Sequence, residues 1–360
     1  MRRFIFKLTL FLFPFFLALF IELFVLPMDY FTFRVWEAVV VRKFKNILPG
    51  PFYPNKEMTK VEEGDLGHHF RSAVKGKVRW VTDRYGYRKK NTDVRKHQIV
   101  IVGESNIAGS SLTQEEILSE VLEKRLKVSV YPYAPVGGIN SFLKDKRFIE
   151  NSPDILVFAR VERELLDLPI LKEPKDRKWA SKLRRKMEQN QWVQNFIVPL
   201  DRLYKLNMLH FYRASLRRCI ASPPENFLPR VSSPYGRILF LQGAEANRDV
   251  SKEKLNQTIK IINSYNNTVR SRGIRFIFVP IPNKENIFYK YLQTKRPVFL
   301  EQLISELKSY GIETIDTQKA FEEAFQKNQI LLHHPDDTHW NANGVKLTAE
   351  LIKYWIEKKE

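Results

Sequence analysis

Ile99-Val100-Ile101-Val102-Gly103-Glu104-Ser105-Asn106 is the stretch whose reading decides the fold. Four consecutive β-branched apolar residues ended by Gly, an acid and Ser have the character of a buried parallel strand that delivers a hydroxyl at its carboxyl end. Open α/β sheets bind ligands just beyond that end. Ser105 is therefore expected at the lip of a crevice, with a helix following from about Gln114. A serine so placed also commonly caps a helix or tightens a turn. It becomes a nucleophile only beside a base that takes its proton, and a source of one lies far downstream, in His334-Pro335-Asp336-Asp337-Thr338-His339-Trp340-Asn341.

Outward from this strand the chain alternates strand and helix. An amphipathic 114–126 leads to Val128-Ser129-Val130-Tyr131, a helical stretch opened by Gly137-Gly138 runs to Ile149, and Ile155-Leu156-Val157-Phe158 follows. Such alternation predicts βαβ units around a parallel sheet, an α/β fold. The rhythm breaks over about 168–237, where cations, tryptophans and prolines predict an insertion of basic amphipathic helices followed by an irregular loop. It resumes with a helix over about 250–272, the strand Arg275-Phe276-Ile277-Phe278-Val279, a helix ending near Tyr310, the short strand Glu313-Thr314-Ile315, a helix over 318–326 and a last helix from about Asn343.

The amino terminus is of another kind. Met1-Arg2-Arg3 precede a nearly unbroken apolar run to Leu26, long enough to span a bilayer as a helix, and no small-residue cleavage site follows it. Residues 1–27 are therefore expected to be an uncleaved transmembrane signal-anchor. Arg2, Arg3 and Lys7 favour a cytoplasmic amino terminus and an extracytoplasmic remainder. Residues 28–96 are expected to be a juxtamembrane connector with short strands, and 97–360 the main domain. Sixty Lys and Arg against forty Asp and Glu give a net charge of +20, which draws polyanions. For an exported chain, acidic lipid headgroups and acidic polysaccharide are within reach and nucleic acid is not; an ordinary solvated basic surface is the bland alternative. Lone Cys219 excludes an intrachain disulfide.

A histidine base needs a carboxylate on its other ring nitrogen, and the loop at Asp336-Asp337-Thr338-His339 offers two. Both acids would also serve as caps for the following helix. His333, His334, Asp336, Asp337 and His339 crowd together as metal ligands do, but no second ligand cluster accompanies them, so no metal and no cofactor is expected. Acyl transfer further requires donors for an oxyanion. Gly137, Gly138 and Asn140, at the start of a helix after the next strand, are candidates.

Gly103-Glu104-Ser105-Asn106, the Gly138 region and Asp336-x-x-His339 stand in the order of the sequence blocks of the SGNH (GDSL-like) hydrolase superfamily, which the chain resembles from about Ile99 onward, outside the insertion. Val161-Glu162-Arg163, Pro280-Ile281-Pro282-Asn283-Lys284, Asp337-Thr338-His339-Trp340 and the turn Tyr85-Gly86-Tyr87-Arg88 resemble its membrane-anchored branch, similar to alginate O-acetyltransferase SGNH-like domains. The resemblance implies a three-layer αβα, flavodoxin-like fold. It also implies Ser105 as nucleophile, His339 as base, Asp336 as its partner, and the Ser105 and Gly138 amides as oxyanion donors. Glu104 stands where the family has Asp. The Gly-x-Asn-Asp block is absent, Phe158-Ala159-Arg160-Val161-Glu162 occupying its place, so the third donor falls to Asn140 or Arg160. The implied function is a membrane-anchored serine esterase or O-acyltransferase, acetyl being the expected group. Its implied partners are the lipid bilayer, an acylated or acceptor glycan of the cell envelope and a membrane acyl-donor protein. The alternative is a catalytically degenerate relative that binds an anionic envelope glycan.

Overall fold

In a computed structural model, residues 1–67, 73–91, 94–135, 138–171, 190–220, 230–233, 236–241, 250–292 and 294–358 are described. The amino-terminal helix α1 (Arg2–Phe20) continues through one wider turn, Ile21–Val25, and is followed by a short α2 (Val35–Val39). A hairpin of β1 (Glu57–Glu63) and β2 (Lys75–Val81) comes next. The main domain then runs β3 (Ile99–Val102), α3 (Ser105–Ala108), α4 (Leu118–Leu126), β4 (Val130–Tyr133), α5 (Gly138–Phe142), α6 (Lys146–Glu150) and β5 (Ile155–Val161). The insertion contributes α7 (Gln191–Lys205), α8 (Asn207–Ile220) and a hairpin of β6 (Arg230–Ser233) and β7 (Gly236–Leu239). It is followed by α9 (Lys252–Arg270), β8 (Arg275–Ile281), α10 (Lys284–Ile287), α11 (Phe299–Ser309), β9 (Glu313–Thr314), α12 (Thr317–Asn328) and α13 (Ala342–Glu357).

Five strands form one sheet in the order β4-β3-β5-β8-β9, every neighbouring pair parallel. Their apolar runs are continuous because both faces are covered, as parallel sheets require. The period of two divides them. Ile99, Ile101, Val157, Ala159, Ile277 and Val279 pack with α4, α12 and α13 in one core, while Val100, Val102, Leu156, Phe158, Phe276 and Phe278 pack with α5, α6, α9 and α11 in the other. The result is the expected three-layer α/β/α architecture. Pro132, which has no N–H to give, is tolerated because β4 is an edge strand.

Two local expectations differ from the structure. The helix expected from about Gln114 is present as a 3-10 turn Gln114–Glu116 leading into α4, but an additional four-residue helix, α3, precedes it and begins at Ser105 itself. The 28–96 segment is more than a connector: Val35, Ala38, Val39, Phe52, Val78 and Trp80 share the core of the α4 face, so their apolar surface removed from water holds the segment on the domain. Arg88 is fully buried there, its guanidinium 3.7 Å from the Trp80 ring centre and donating to the Arg79 and Leu112 carbonyls at 3.0 and 2.6 Å. Burial pulls its pKa down to about 9, yet at neutral pH it stays charged and satisfied.

Candidate active site

Two chain ends of the fold meet at the carboxyl edge of the sheet. Gly103 turns the chain from β3 into α3; a side chain there would stand 2.8 Å from the Ala159 carbonyl oxygen. Ser105 thus opens α3, whose first amides have no partner within the helix. From the far end of the chain, Asn341 caps α13 by accepting from the Asn343 and Gly344 amides, which sets His339 and Trp340 just outside the helix. Trp340 is completely buried and gives its indole N–H to the Asn106 carbonyl at 3.2 Å, while its backbone N–H reaches the Asn106 side chain at 3.3 Å. The residue after the serine therefore holds the residue after the histidine.

That clasp brings Ser105 Oγ to 2.8 Å from His339 Nε2. On the other ring nitrogen, His339 Nδ1 lies 2.5 Å from Asp337 Oδ1. Asp337 is fully buried and accepts three further bonds, from the His339 amide (2.8 Å), the Ser111 hydroxyl (2.7 Å) and the Asp65 amide (2.8 Å). Although burial pushes the other way, the charge of His339 beside it holds the Asp337 carboxyl well below the usual carboxylate range. Burial likewise lowers the His339 pKa, but the Asp337 and Asp65 carboxylates outweigh it and the net shift is upward.

Asp336, expected as the partner of the histidine, is turned away from it. Its carboxylate accepts from the Val74 amide at 2.8 Å and its carbonyl from the Leu66 and Gly67 amides at 3.1 and 2.8 Å, so its work is to hold the segment ahead of β2. Adjacent residues of a tight turn project in different directions, and here the second acid, two before the histidine, faces the ring. Gly138 heads α5 with φ +54°, a left-handed conformation that suits glycine. Gly137 lies outside the described residues. Asn140 Nδ2 donates to the Ile170 carbonyl at 3.0 Å, and the Arg160 guanidinium is paired with Glu164 at 2.8 Å, so both side chains expected as the third donor have other partners. Half-buried Arg163 lies close enough for its charge to lower the His339 pKa, and it also donates to Asn283 Oδ1 at 3.4 Å.

Three residues unassigned from sequence support the loop. Lys284 is buried, and its ammonium donates to the Leu239, His334, Pro335 and Asp337 carbonyls at 2.7, 2.6, 2.8 and 3.2 Å. Burial pulls its pKa down to about 8. Asp65 accepts from the Thr338 amide at 2.8 Å and hydroxyl at 2.5 Å, and Ser111 fixes Asp337. Glu162 accepts from the Asn283 amide at 3.2 Å and from the Asn286 side chain, joining the end of β5 to the segment that carries Lys284; burial pushes its carboxyl up to about 8. Asp65, Asp337 and His339 have the residue types of a cation site, but the 2.5 Å Nδ1–Oδ1 contact leaves no room for an ion between its two atoms.

Of the insertion's basic and aromatic candidates, Trp179, Lys182, Arg184, Arg185 and Lys186 lie outside the described residues. α7 and α8 are tied to the end of the apolar helix: Arg202 donates to the Glu22 and Leu23 carbonyls at 2.7 and 2.8 Å, and the Phe31 ring meets those of Phe211 and Tyr212. Arg218 pairs with Glu63 at 2.7 Å.

Residues 238–360, which include Asp337 and His339 but not Ser105, match the ALGX family, described as the SGNH hydrolase-like domain of the acetyltransferase AlgX. No curated protein is significantly similar to the chain. Among solved structures, a lipase/acylhydrolase from Enterococcus faecalis is 13% identical, with 73% of this chain and 96% of that one covered at a TM-score of 0.38. A lipolytic protein of the G-D-S-L family from Desulfitobacterium hafniense is 11% identical, with 71% and 98% covered at 0.36. An acylhydrolase from Bacteroides fragilis is 13% identical, with 75% and 90% covered at 0.35. Segment 238–360 of the chain is thus similar to the SGNH hydrolase-like domain of the acetyltransferase AlgX.

Proposed function

We propose that this protein is a membrane-anchored serine esterase or O-acyltransferase that moves an acyl group, acetyl in the first instance, to or from a glycan of the cell envelope. The observation that carries the reading is the continuous hydrogen-bond chain Ser105–His339–Asp337 at the carboxyl edge of the sheet. Asp337 keeps the proton of neutral His339 on Nδ1, which leaves Nε2 free to accept from the Ser105 hydroxyl. The oxygen so activated attacks the acyl carbonyl, and the oxyanion that forms is assigned to the amides at the start of α3 and to the Gly138 amide, with Arg163, whose charge acts on His339, as the third donor. His339 returns the proton to the departing oxygen, leaving an acyl-Ser105 ester. Water or a sugar hydroxyl, its proton taken by His339, attacks that ester and frees the serine; the choice of nucleophile makes the protein an esterase or a transferase.

Anchoring is supported by the 24-residue helix Arg2–Val25, in which an 18-residue window has a mean hydropathy of 2.5 and is almost entirely exposed. Arg2, Arg3 and Lys7 at its start favour a cytoplasmic amino terminus. Beside its far end, α7 exposes Trp192, Phe196 and Leu200 at a spacing of four, and α8 exposes Leu209, Tyr212 and Leu216. These apolar faces suit helices that lie at the headgroup level.

The test is reaction of the full-length protein, in detergent or nanodiscs, with a serine-directed phosphonate, alongside turnover of a chromogenic acetyl ester with and without a sugar acceptor. Labelling confined to Ser105, and loss of both labelling and turnover in Ser105→Ala, are expected. Undiminished turnover by a well-folded Ser105→Ala protein overturns the mechanism.

A further inference from the structure

A second carboxylate stands beside the histidine, and it comes from the other end of the chain. Gly64-Asp65-Leu66-Gly67 leaves β1 and lies on the His339 loop; it belongs to the part of the chain ahead of Ser105, outside residues 238–360. Backbone meets backbone there, since a side chain at Gly64 would collide with the Asp336 carbonyl oxygen and one at Gly67 with the Asp336 carboxylate. The approach is held from both sides. The Asp65 amide donates to Asp337 Oδ2 at 2.8 Å and the Leu66 and Gly67 amides to the Asp336 carbonyl, while the Thr338 amide and hydroxyl donate to Asp65 Oδ1 and Oδ2 at 2.8 and 2.5 Å. Behind this turn Glu62 accepts from the Val35 amide at 2.6 Å and Glu63 pairs with Arg218 at 2.7 Å, so the end of β1 is fixed as well. Asp65 Oδ2 is thereby placed 3.7 Å from His339 Nδ1, its side chain 21% exposed.

Taking His339 as the base of the reaction proposed above, we infer that Asp65 is a further positioning residue for it: held on the same side of the ring as Asp337, its carboxylate fixes the Thr338–His339 turn and shares the charge of the imidazolium. In the resting site the ring N–H points at Asp337, 2.5 Å away, and Asp65 stands too far off for a hydrogen bond to the ring. Its action is therefore electrostatic. An opposite charge within about 4–6 Å favours the charged form of a group, and the ring becomes charged only as Ser105 passes its proton to Nε2. An interaction that grows on the way to the transition state lowers the barrier and leaves substrate affinity alone. Thr338 adds to it, because its hydroxyl gives its only hydrogen to Asp65 and has just a lone pair left for Nδ1, 3.5 Å away. Burial lowers the His339 pKa, Asp337 and then Asp65 raise it, and Arg163, after β5, lowers it. His334, on the same loop, faces the ring too, and Arg34, ahead of α2, and Lys284 are cations within reach of the two carboxylates. With Arg163 serving the oxyanion, the imidazolium meets a second positive charge as well as burial, and Asp65 supplies the counter-charge.

The experiment titrates His339 directly, by carbon-13 NMR of full-length protein with ring-labelled histidine in nanodiscs, His339→Gln identifying the resonance. In Asp65→Asn the side chain keeps its volume and an acceptor for the Thr338 amide but loses its charge. The His339 midpoint is expected to fall by about half to one pH unit, less than a fully buried partner would give because Asp65 is partly exposed. Turnover of the chromogenic acetyl ester should follow. The acid limb of kcat/KM moves to lower pH, since the ring sheds its proton more readily, and plateau kcat falls by the corresponding factor of about three to ten with KM unchanged. Should Asp65→Asn lose its thermal transition, Asp65→Ser, which also keeps an acceptor and removes the charge, is titrated instead, with the same fall expected. A parent-like His339 midpoint in the folded variant overturns the inference. So does a loss of kcat with the acid limb unmoved, which is what displacement of the loop alone would give. The NMR midpoint needs no turnover, so failure of Ser105 to label or of the ester to react counts against the proposed reaction, while the titration decides the pairing of Asp65 with His339.

Discussion

Replacing Asp337 by Asn is the most informative perturbation of the site, because it alters charge and tautomer with almost no change of volume. In the parent, Oδ1 receives both the His339 ring Nδ1–H and the His339 amide, while Oδ2 receives the Ser111 hydroxyl and the Asp65 amide. Four donors converge on one carboxylate, so an amide must point its NH2 at a donor whichever way it lies. If the NH2 faces the ring, His339 moves its proton to Nε2 and can no longer accept from Ser105. Loss of the equivalent charge in a serine-protease triad lowers kcat about 10⁴-fold, which corresponds to about 5.5 kcal/mol of transition-state stabilisation. Asp337→Asn is expected to reach that order, and Asp336→Asn, whose side chain holds the Val74 amide, to lose less than about tenfold. The pH profile supplies a second reading. His339 acts as a base only when neutral, and its pKa is raised in the fold by Asp337 and Asp65 against the pull of burial. The acid limb of kcat/KM is thus expected above the ordinary histidine value of about 6.5 and should move to lower pH in Asp337→Asn. Steady-state kinetics on a chromogenic acetyl ester, with circular dichroism as the check on folding, decide the matter. A larger loss in folded Asp336→Asn than in folded Asp337→Asn would refute the assignment.

Lys284→Met removes the ammonium that three carbonyls of the His339 loop and the Leu239 carbonyl of β7 share; a loss of about 3 kcal/mol or more in denaturant unfolding is expected together with most of the activity, and a parent-like unfolding midpoint would rule out the clamp. Glu162 ionises near 4.5 when unfolded and at about 8 in the fold, so its contribution to stability is full below the lower value and is lost progressively as pH rises to the upper one. Glu162→Gln should therefore flatten that slope, and parallel melting curves for variant and parent across this range would contradict the buried neutral acid. Trp192→Ser with Phe196→Ser should weaken association of an anchor-deleted protein with vesicles at high salt, where apolar contact outlasts charge, provided that deletion retains the parent's esterase activity; unchanged partitioning would make α7 an ordinary exposed helix. Arg163→Ala should lower kcat by about two powers of ten with KM for a neutral ester little changed, as loss of an oxyanion donor does, whereas an unaltered kcat would leave the third donor elsewhere.

The sequence by itself determined the layers and the two residues that matter most. Continuous apolar runs at 99–102, 155–158 and 275–279 require cover on both faces, and helices between them make the sheet parallel, so a hydroxyl after the first run had to stand at the carboxyl edge. These are properties of spacing and hydrophobicity, local to each segment. Which acid serves the histidine was not local. Asp336 and Asp337 are chemically identical neighbours, and only the turn geometry, with the Leu66, Gly67 and Val74 amides taking Asp336 and the Asp65 amide and Ser111 hydroxyl taking Asp337, separates them. The pairing of Ser105 with a histidine 234 positions away depends on Trp340 and Asn106 meeting across the fold. Lys284 and Glu162 stood in motifs that carry the resemblance but had no role there, because burial, which shifts the pKa of each and makes each structural, exists only once the chain has folded around them.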